Sequence, residues 1–211
     1  MPVKRIYLVR HGETDFNTDP EPRIRGHVPN PLNETGRLHA KETSTALKDV
    51  KFDAIFYSRI PRAKETAEAI QANQPQARFE EEPLVCDISW GDWEGKTYLE
   101  AFGTPERVHL FKTDPARLEI PNGESFYSVL ARLEALVHKL ERSADETICI
   151  VSHGAVLNLF MCLITSAPLS KFWMFYGDAC SISQVDMHDS STFYIRSYNE
   201  TRHLSKGLPS K

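Results

Sequence analysis

The chain has 211 residues, 41% hydrophobic and 26% charged, enough for one domain with a sizeable core. With 25 Lys and Arg against 29 Asp and Glu, the formal net charge is −4, which argues against a broad nucleic-acid-binding surface but leaves room for a local anion pocket. No apolar run reaches about 18 residues, so no membrane span is expected; Met1–Arg5 leads straight into the first predicted strand, so no signal peptide is expected.

Ile6-Tyr7-Leu8-Val9 predicts a buried strand that stops abruptly at Arg10-His11-Gly12, with Gly12 permitting a sharp turn or a close backbone approach. Ligands of open α/β sheets sit just outside the carboxyl ends of strands, and Arg beside His and Gly there suits an anion, phosphate above all. Residues 18–33 follow as a loop, since Pro20, Pro22, Pro29 and Pro31 exclude a helix interior or a central strand. A helix begins at Asn33 or Thr35 and runs through Leu38, Ala40 and Leu47. Phe52–Ser58 predicts a second strand, and Ala63–Gln71 a helix with Pro61 in its first turn. Arg78–Glu80 is a short edge strand.

Leu84–Gly95 is a loop rich in aromatic and acidic residues, and residues 97–120 are short helical pieces broken at Pro105 and Pro115, a cap-like insertion beside the site. Glu124–Arg142 is the clearest helix, because Phe126, Val129, Leu130, Leu133, Leu136, Val137 and Leu140 keep i, i+3, i+4 spacing. Thr147–Ser152 is another buried strand ended by His153-Gly154, the same pattern as the first. A helix over 155–165, a short helix at Leu169–Trp173 and two final strands, Cys180–Met187 and Thr192–Tyr198, complete the chain. Strands alternating with helices indicate an α/β fold with a mostly parallel sheet, the last pair being antiparallel. Cys86, Cys149, Cys162 and Cys180 lack metal-ligand spacing, and three lie in apolar surroundings, which fits free thiols in a reducing cytoplasm.

If the strands are parallel, Arg10, His11, Arg62 and His153 lie on one crest, joined by Asp87 from the aromatic loop. A neutral His11 imidazole can attack phosphorus and form a phosphohistidine. Arg10, Arg62 and a protonated His153 would neutralise the phosphoryl oxygens and the charge that spreads over them. Asp87, flanked by Ile88 and Trp90, would keep its proton through desolvation and give it to the leaving oxygen. Those cationic groups fill the place of a metal, so neither metal nor cofactor is expected. Arg23 and Arg25 face an anionic substrate tail, and Arg59 sits at the rim. Ser58 either hydrogen-bonds the substrate or makes a turn. Trp90 is the indole placed to stack on a ring; Trp93 and Trp173 are core or wall. His27 and His39 are expected to be solvated, as is His138, and His109, His188 and His203 to lie on the surface.

These motifs resemble the histidine phosphatase superfamily, in its branch with cofactor-dependent phosphoglycerate mutase. Leu8-Val9-Arg10-His11-Gly12-Glu13-Thr14 with Asn17 is similar to the branch signature. So are Pro31-Leu32 with Gly36, Ser58-x-x-x-Arg62-Ala63-x-x-Thr66-Ala67, Gly91-Asp92-Trp93-Glu94-Gly95, Gly123-Glu124-Ser125 and Val151-Ser152-His153-Gly154, in the family's order. The resemblance implies a single domain over 1–211, a three-layer α/β/α sandwich and a phosphohistidine at His11. It also implies a pocket of Arg10, Arg62 and His153, with Asn17 and nearby backbone groups, Gly26 and Gly154 among them, around the substrate. The chain departs from the branch at Asp87, where Glu is usual, with Asp92 and Glu94 as alternative acids. Arg25 stands where Gln is common and Asn158 where Arg is common.

The family's mutases carry a larger insertion after the acid loop than residues 97–120 supply, so hydrolysis of a small phosphomonoester is favoured over phosphoglycerate mutase activity. Gly26–Leu32 resembles α-ribazole-5′-phosphate phosphatases, Leu169–Trp173 metal-independent phosphoserine phosphatases, and related sugar-phosphate phosphatases share both pieces. The expected partner is a small phosphorylated molecule, with neither nucleic acid nor membrane. The apolar final strands either pair two subunits into a homodimer or form an ordinary sheet edge.

Overall fold

The computed structural model describes residues 2–205. Lys4–Arg10 (β1) is apolar at consecutive positions because both its faces are covered: Ile6 and Leu8 pack to one side, Tyr7 and Val9 to the other, with the period of two of an extended chain. It is joined by Ala54–Tyr57 (β2), Arg78–Glu81 (β3), Thr147–Ser152 (β4), Ile182–Met187 (β5) and Phe193–Glu200 (β6) in a six-stranded sheet of order β3-β2-β4-β1-β5-β6. The first four in that order are parallel, and β5 and β6 are antiparallel additions.

Helices cover both faces. Glu34–Ala46 (α2), which follows the single turn Asp15–Thr18 (α1), lies with Pro61–Gln71 (α3) on the face of Val9, Ile55 and Val151. Phe126–Arg142 (α6) and Gly154–Thr165 (α7) cover the face of Ile6, Leu8, Phe56 and Ile150. The result is the three-layer α/β/α sandwich expected from the alternation of elements. Between α3 and α6, Tyr98–Phe102 (α4) and Pro105–Thr113 (α5) form the short pieces foreseen over 97–120.

Capping sets the helix boundaries. The Asn33 side chain accepts from Gly36 N at 2.8 Å, which starts α2 at Glu34. Ser125 Oγ accepts from Ser128 N at 3.0 Å, so α6 begins at Phe126 rather than at Glu124. Pro61 is the first residue of α3, two earlier than expected, because its fixed φ suits that position. The segment expected as a short helix at Leu169 is a 3-10 turn over Leu169–Phe175. Gly12 sits where a Cβ would lie 2.8 Å from the Gly36 carbonyl oxygen, so the loop after β1 passes against the start of α2 only without a side chain. Among the described residues, no single helix is long and apolar enough to cross a membrane.

Candidate active site

His11 follows β1 and His153 follows β4. These strands are parallel neighbours paired Val9↔Val151 and Arg10↔Ser152, so both chains leave the sheet at the same level. His11 N donates to the Ser152 carbonyl at 2.9 Å, and the two imidazole centroids stand 5.3 Å apart. The pairing register therefore does what sequence spacing cannot: it brings residues from the two ends of the chain onto one crest.

His11 Nδ1 lies 2.7 Å from the Gly12 carbonyl oxygen. A carbonyl only accepts, so Nδ1 carries the hydrogen and Nε2 holds the free lone pair. Burial first, then the guanidiniums of Arg62, Arg10 and Arg25, hold the His11 pKa well below the ordinary 6.5. The ring is a neutral nucleophile at pH 7.

His153 differs from expectation. It was expected to be protonated, yet burial and the Arg62 charge hold its pKa well below 6.5 as well. Its Nε2 lies 2.8 Å from Ser58 Oγ. That hydroxyl donates to Cys86 Sγ at 3.7 Å and accepts from Ile60 N at 3.3 Å. His153 Nδ1 lies 3.4 Å from Asp87 Oδ2 and makes no hydrogen bond among the described residues. Of the two roles open for Ser58, the structure shows the turn: its Oγ accepts from Ile60 N two residues on, and the fully buried side chain stands behind His153 rather than on the cleft.

Asp87 Oδ2 accepts from Arg62 Nη2 at 2.7 Å, and Oδ1 accepts from Ile88 N at 3.0 Å. Burial raises the Asp87 pKa, against the opposing pull of Arg62, Arg25 and the Ile88 amide. Of the three acids considered, Asp87 alone lines the cleft. Asp92 is exposed and accepts from Asn122 Nδ2, while Glu94 Oε1 accepts from Trp90 N at 3.0 Å.

Arg10, Arg25, Gly26 and Gly154 line the cleft; Arg62 and Asn17 do not. Arg62 is fully buried beneath it, donating also to the Gly26 carbonyl at 2.8 Å. Asn17 Oδ1 accepts from Thr14 N and Thr14 Oγ1, so that oxygen is used in shaping the loop after β1. Arg10 Nη1 donates to the Gly177 carbonyl at 2.5 Å, and its guanidinium stacks over Tyr176. A Cβ at Gly154 would come 3.3 Å from Arg10 Nε, so the start of α7 lies close against that guanidinium. Arg23 lines the cleft, but its Nε donates to Asp19 at 3.1 Å. Arg59 is exposed and does not line the cleft.

The walls are aromatic. Trp90, Tyr98, Phe111, Phe172, Trp173 and Tyr176 enclose about 650 Å³, counting the open mouth. Trp173 Nε1 donates to the Phe111 carbonyl at 2.7 Å and ties α5 to the 3-10 turn across the cleft. Asn158, also on the lining, orients its amide to donate to the Gly154 carbonyl at 2.9 Å and to the Phe175 carbonyl.

Several features escaped the sequence reading. His27 is not solvated: its Nε2 lies 2.8 Å from the Asp87 carbonyl. His39 is buried, and His203 is half-buried with Nε2 3.0 Å from Thr43 Oγ1. Arg132 on α6 pairs with Glu124 at 3.1 Å and donates to the carbonyls of Leu84 and Asp87, while Glu124 accepts from Ser89 N at 2.9 Å. This clamp holds both ends of the Asp87 loop. Glu124 belonged to a recognised motif, but Arg132 stands off the apolar stripe, where a solvated charge is the ordinary expectation.

A model of the histidine phosphatase superfamily, branch 1, matches residues 6–201. An adenosylcobalamin/alpha-ribazole phosphatase of Salmonella typhimurium is 30% identical over 187 residues, covering 87% of this chain and 90% of the relative. Phosphoserine phosphatase 1 of Hydrogenobacter thermophilus is 29% identical over 204 residues, covering 96% and 95%. Among solved structures, Bacillus stearothermophilus YhfR superposes with a TM-score of 0.86 at 32% identity, covering 96% of this chain and all 100% of that one.

Proposed function

The chain belongs to branch 1 of the histidine phosphatase superfamily and is a phosphoric monoester hydrolase, and from that premise we propose that His11 takes the phosphoryl group from a small substrate and passes it to water. The observation that carries this assignment is the lone pair of a neutral His11 Nε2, with Nδ1–H tied to Gly12, on a cleft shared with Arg10, Asp87 and His153. Nε2 bonds to phosphorus as the bond to the leaving oxygen breaks, and Asp87 supplies that oxygen with a proton. Arg10 and His153 bind the phosphoryl oxygens, and Arg62 lends its charge from behind Asp87. In the second step water attacks phosphorus, Asp87 takes its proton, the phosphorus–nitrogen bond breaks, and phosphate leaves with His11 neutral again.

The aromatic walls fit a leaving group with an apolar or flat face, and the relatives supply the leads: α-ribazole-5′-phosphate, phosphoserine or a sugar phosphate. Four buried free thiols, Cys86, Cys149, Cys162 and Cys180, support placement in a reducing cytoplasm. The deciding experiment follows phosphate release from those esters and 4-nitrophenyl phosphate, beside interconversion of 3- and 2-phosphoglycerate. Release with negligible interconversion is expected. Interconversion outpacing release would overturn hydrolysis in favour of mutase chemistry.

A further inference from the structure

We propose that Arg25 binds a second anionic group, carried by the alcohol portion of the substrate, and that the substrates are therefore acidic phosphomonoesters. This rests on the phosphatase reading above. The cleft holds more positive charge than the phosphate uses. Three guanidiniums, those of Arg10, Arg25 and Arg62, converge around His11 closely enough to act on its titration. The first chemical step requires Asp87 to carry its proton, and both imidazoles are neutral. A phosphate dianion is then balanced by Arg10 and Arg62, and one cation remains.

Arg25 is that cation by position as well as by count. Arg62 is bonded to Asp87, and Arg10 is held by the Gly177 carbonyl and the Tyr176 ring. Arg23, its neighbour on the same wall, is paired with Asp19. Arg25 Nη1 is buried and has no hydrogen-bond partner among the described residues. Burial and the other two guanidiniums push its pKa down to about 10, so it stays charged at pH 7. It lines the cleft beside Trp90 and Tyr98, on the wall that the leaving group must meet. Its planar fork matches a carboxylate or a phosphate with two parallel hydrogen bonds. Leaving that buried Nη1 unpaired is unfavourable unless a ligand completes it. Of the leads, phosphoserine carries the required carboxylate.

The test compares esters that differ in that one group: phosphoserine against phosphoethanolamine, and phosphoglycolate against 2-hydroxyethyl phosphate, with 4-nitrophenyl phosphate as a reporter of hydrolysis itself. For the natural chain, kcat/KM is expected to favour the acidic member of each pair at least tenfold, a measurement that needs no variant. In Arg25→Gln that preference should fall tenfold or more, chiefly through KM, and Arg25→Lys should restore part of it. Hydrolysis of 4-nitrophenyl phosphate without a preference within the pairs overturns the role of Arg25 and leaves the phosphatase reading standing. Equal losses on both members in Arg25→Gln also overturn it, by assigning Arg25 to the transferred phosphate. No hydrolysis of any ester overturns the phosphatase reading together with this one.

Discussion

Asp87 and Arg62 meet in a buried contact, Oδ2 to Nη2 at 2.7 Å, an ion pair whenever Asp87 has given up its proton, which couples the proposed proton donor to a proposed stabiliser of phosphoryl charge. Neither charge is independent of the other, so deleting one partner leaves the other buried without compensation. Arg62→Ala is expected to lower kcat/KM at least ~100-fold and stability by about 3 kcal/mol. Pairing it with Asp87→Asn in a double-mutant cycle checks the coupling. Strict additivity of the two stability losses would show that the pair contributes nothing of its own.

His11→Ala should abolish turnover, because it removes the imidazole whose Nδ1 is tied to the Gly12 carbonyl and whose Nε2 is left free on the cleft. Rapid acid-free quenching followed by phosphorus NMR should show a phosphoramidate signal in the natural chain that the variant lacks. Undiminished ester cleavage by the variant would end the covalent route.

The proton role of Asp87 predicts a dependence on the leaving group. Asp87→Asn should slow esters of poorly acidic alcohols by about 100-fold or more, and activated aryl esters far less. A series of phosphomonoesters ranked by leaving-group acidity gives the slope; an unchanged slope would assign the acid elsewhere on the loop.

Stability should fall with acidification earlier than carboxylate titration explains. His11 and His153 have folded pKa values depressed below 6.5, so the unfolded chain takes up protons in a range where the folded one does not. Their contribution is complete above pH 6.5 and is lost as pH falls from there toward the folded values, at about 1.4 kcal/mol per pH unit for each ring. Asp87, with its pKa raised, acts in the opposite sense, since the folded form binds its proton more readily. Thermal melts between pH 7.5 and 5 should show the decline, with a shallower slope in His153→Gln. Identical slopes in the two proteins would contradict it.

Ser58→Ala tests the support behind His153. The change leaves Nε2 without its 2.8 Å partner in a dry site, which costs about 1–3 kcal/mol. It also frees the ring to take the other tautomer, so kcat should drop while KM changes little. A drop in melting temperature with kcat intact would make Ser58 structural only.

Much of this architecture is legible in the residues. Continuous apolar runs mark β1 and β4, the i, i+4 stripe marks α6, and the His-Gly endings mark where each strand releases its chain. What the sequence withholds is direction and depth. Ser58 and Arg62 sit on the same strand-to-helix turn as their pattern suggests, yet both side chains lie beneath the cleft rather than along it. The neutrality of His153 depends on how much solvent the folded packing excludes, a property of the whole enclosure. His27 and Arg132 converge on one carbonyl, that of Asp87, from elements far apart in the chain, and no local pattern announces that meeting.

The chemical groups hang from hydrogen-bonded strand ends, whereas Tyr98 and Phe111 hang from α4 and α5, which touch the rest mainly through aromatic packing. Reaction and choice of substrate are thus carried by separable parts. Grafting residues 97–120 from a relative onto this chain should exchange the preference set by these aromatic walls, leaving that set by Arg25 in place, without rebuilding turnover, which makes the insertion a ready handle for redirecting the enzyme.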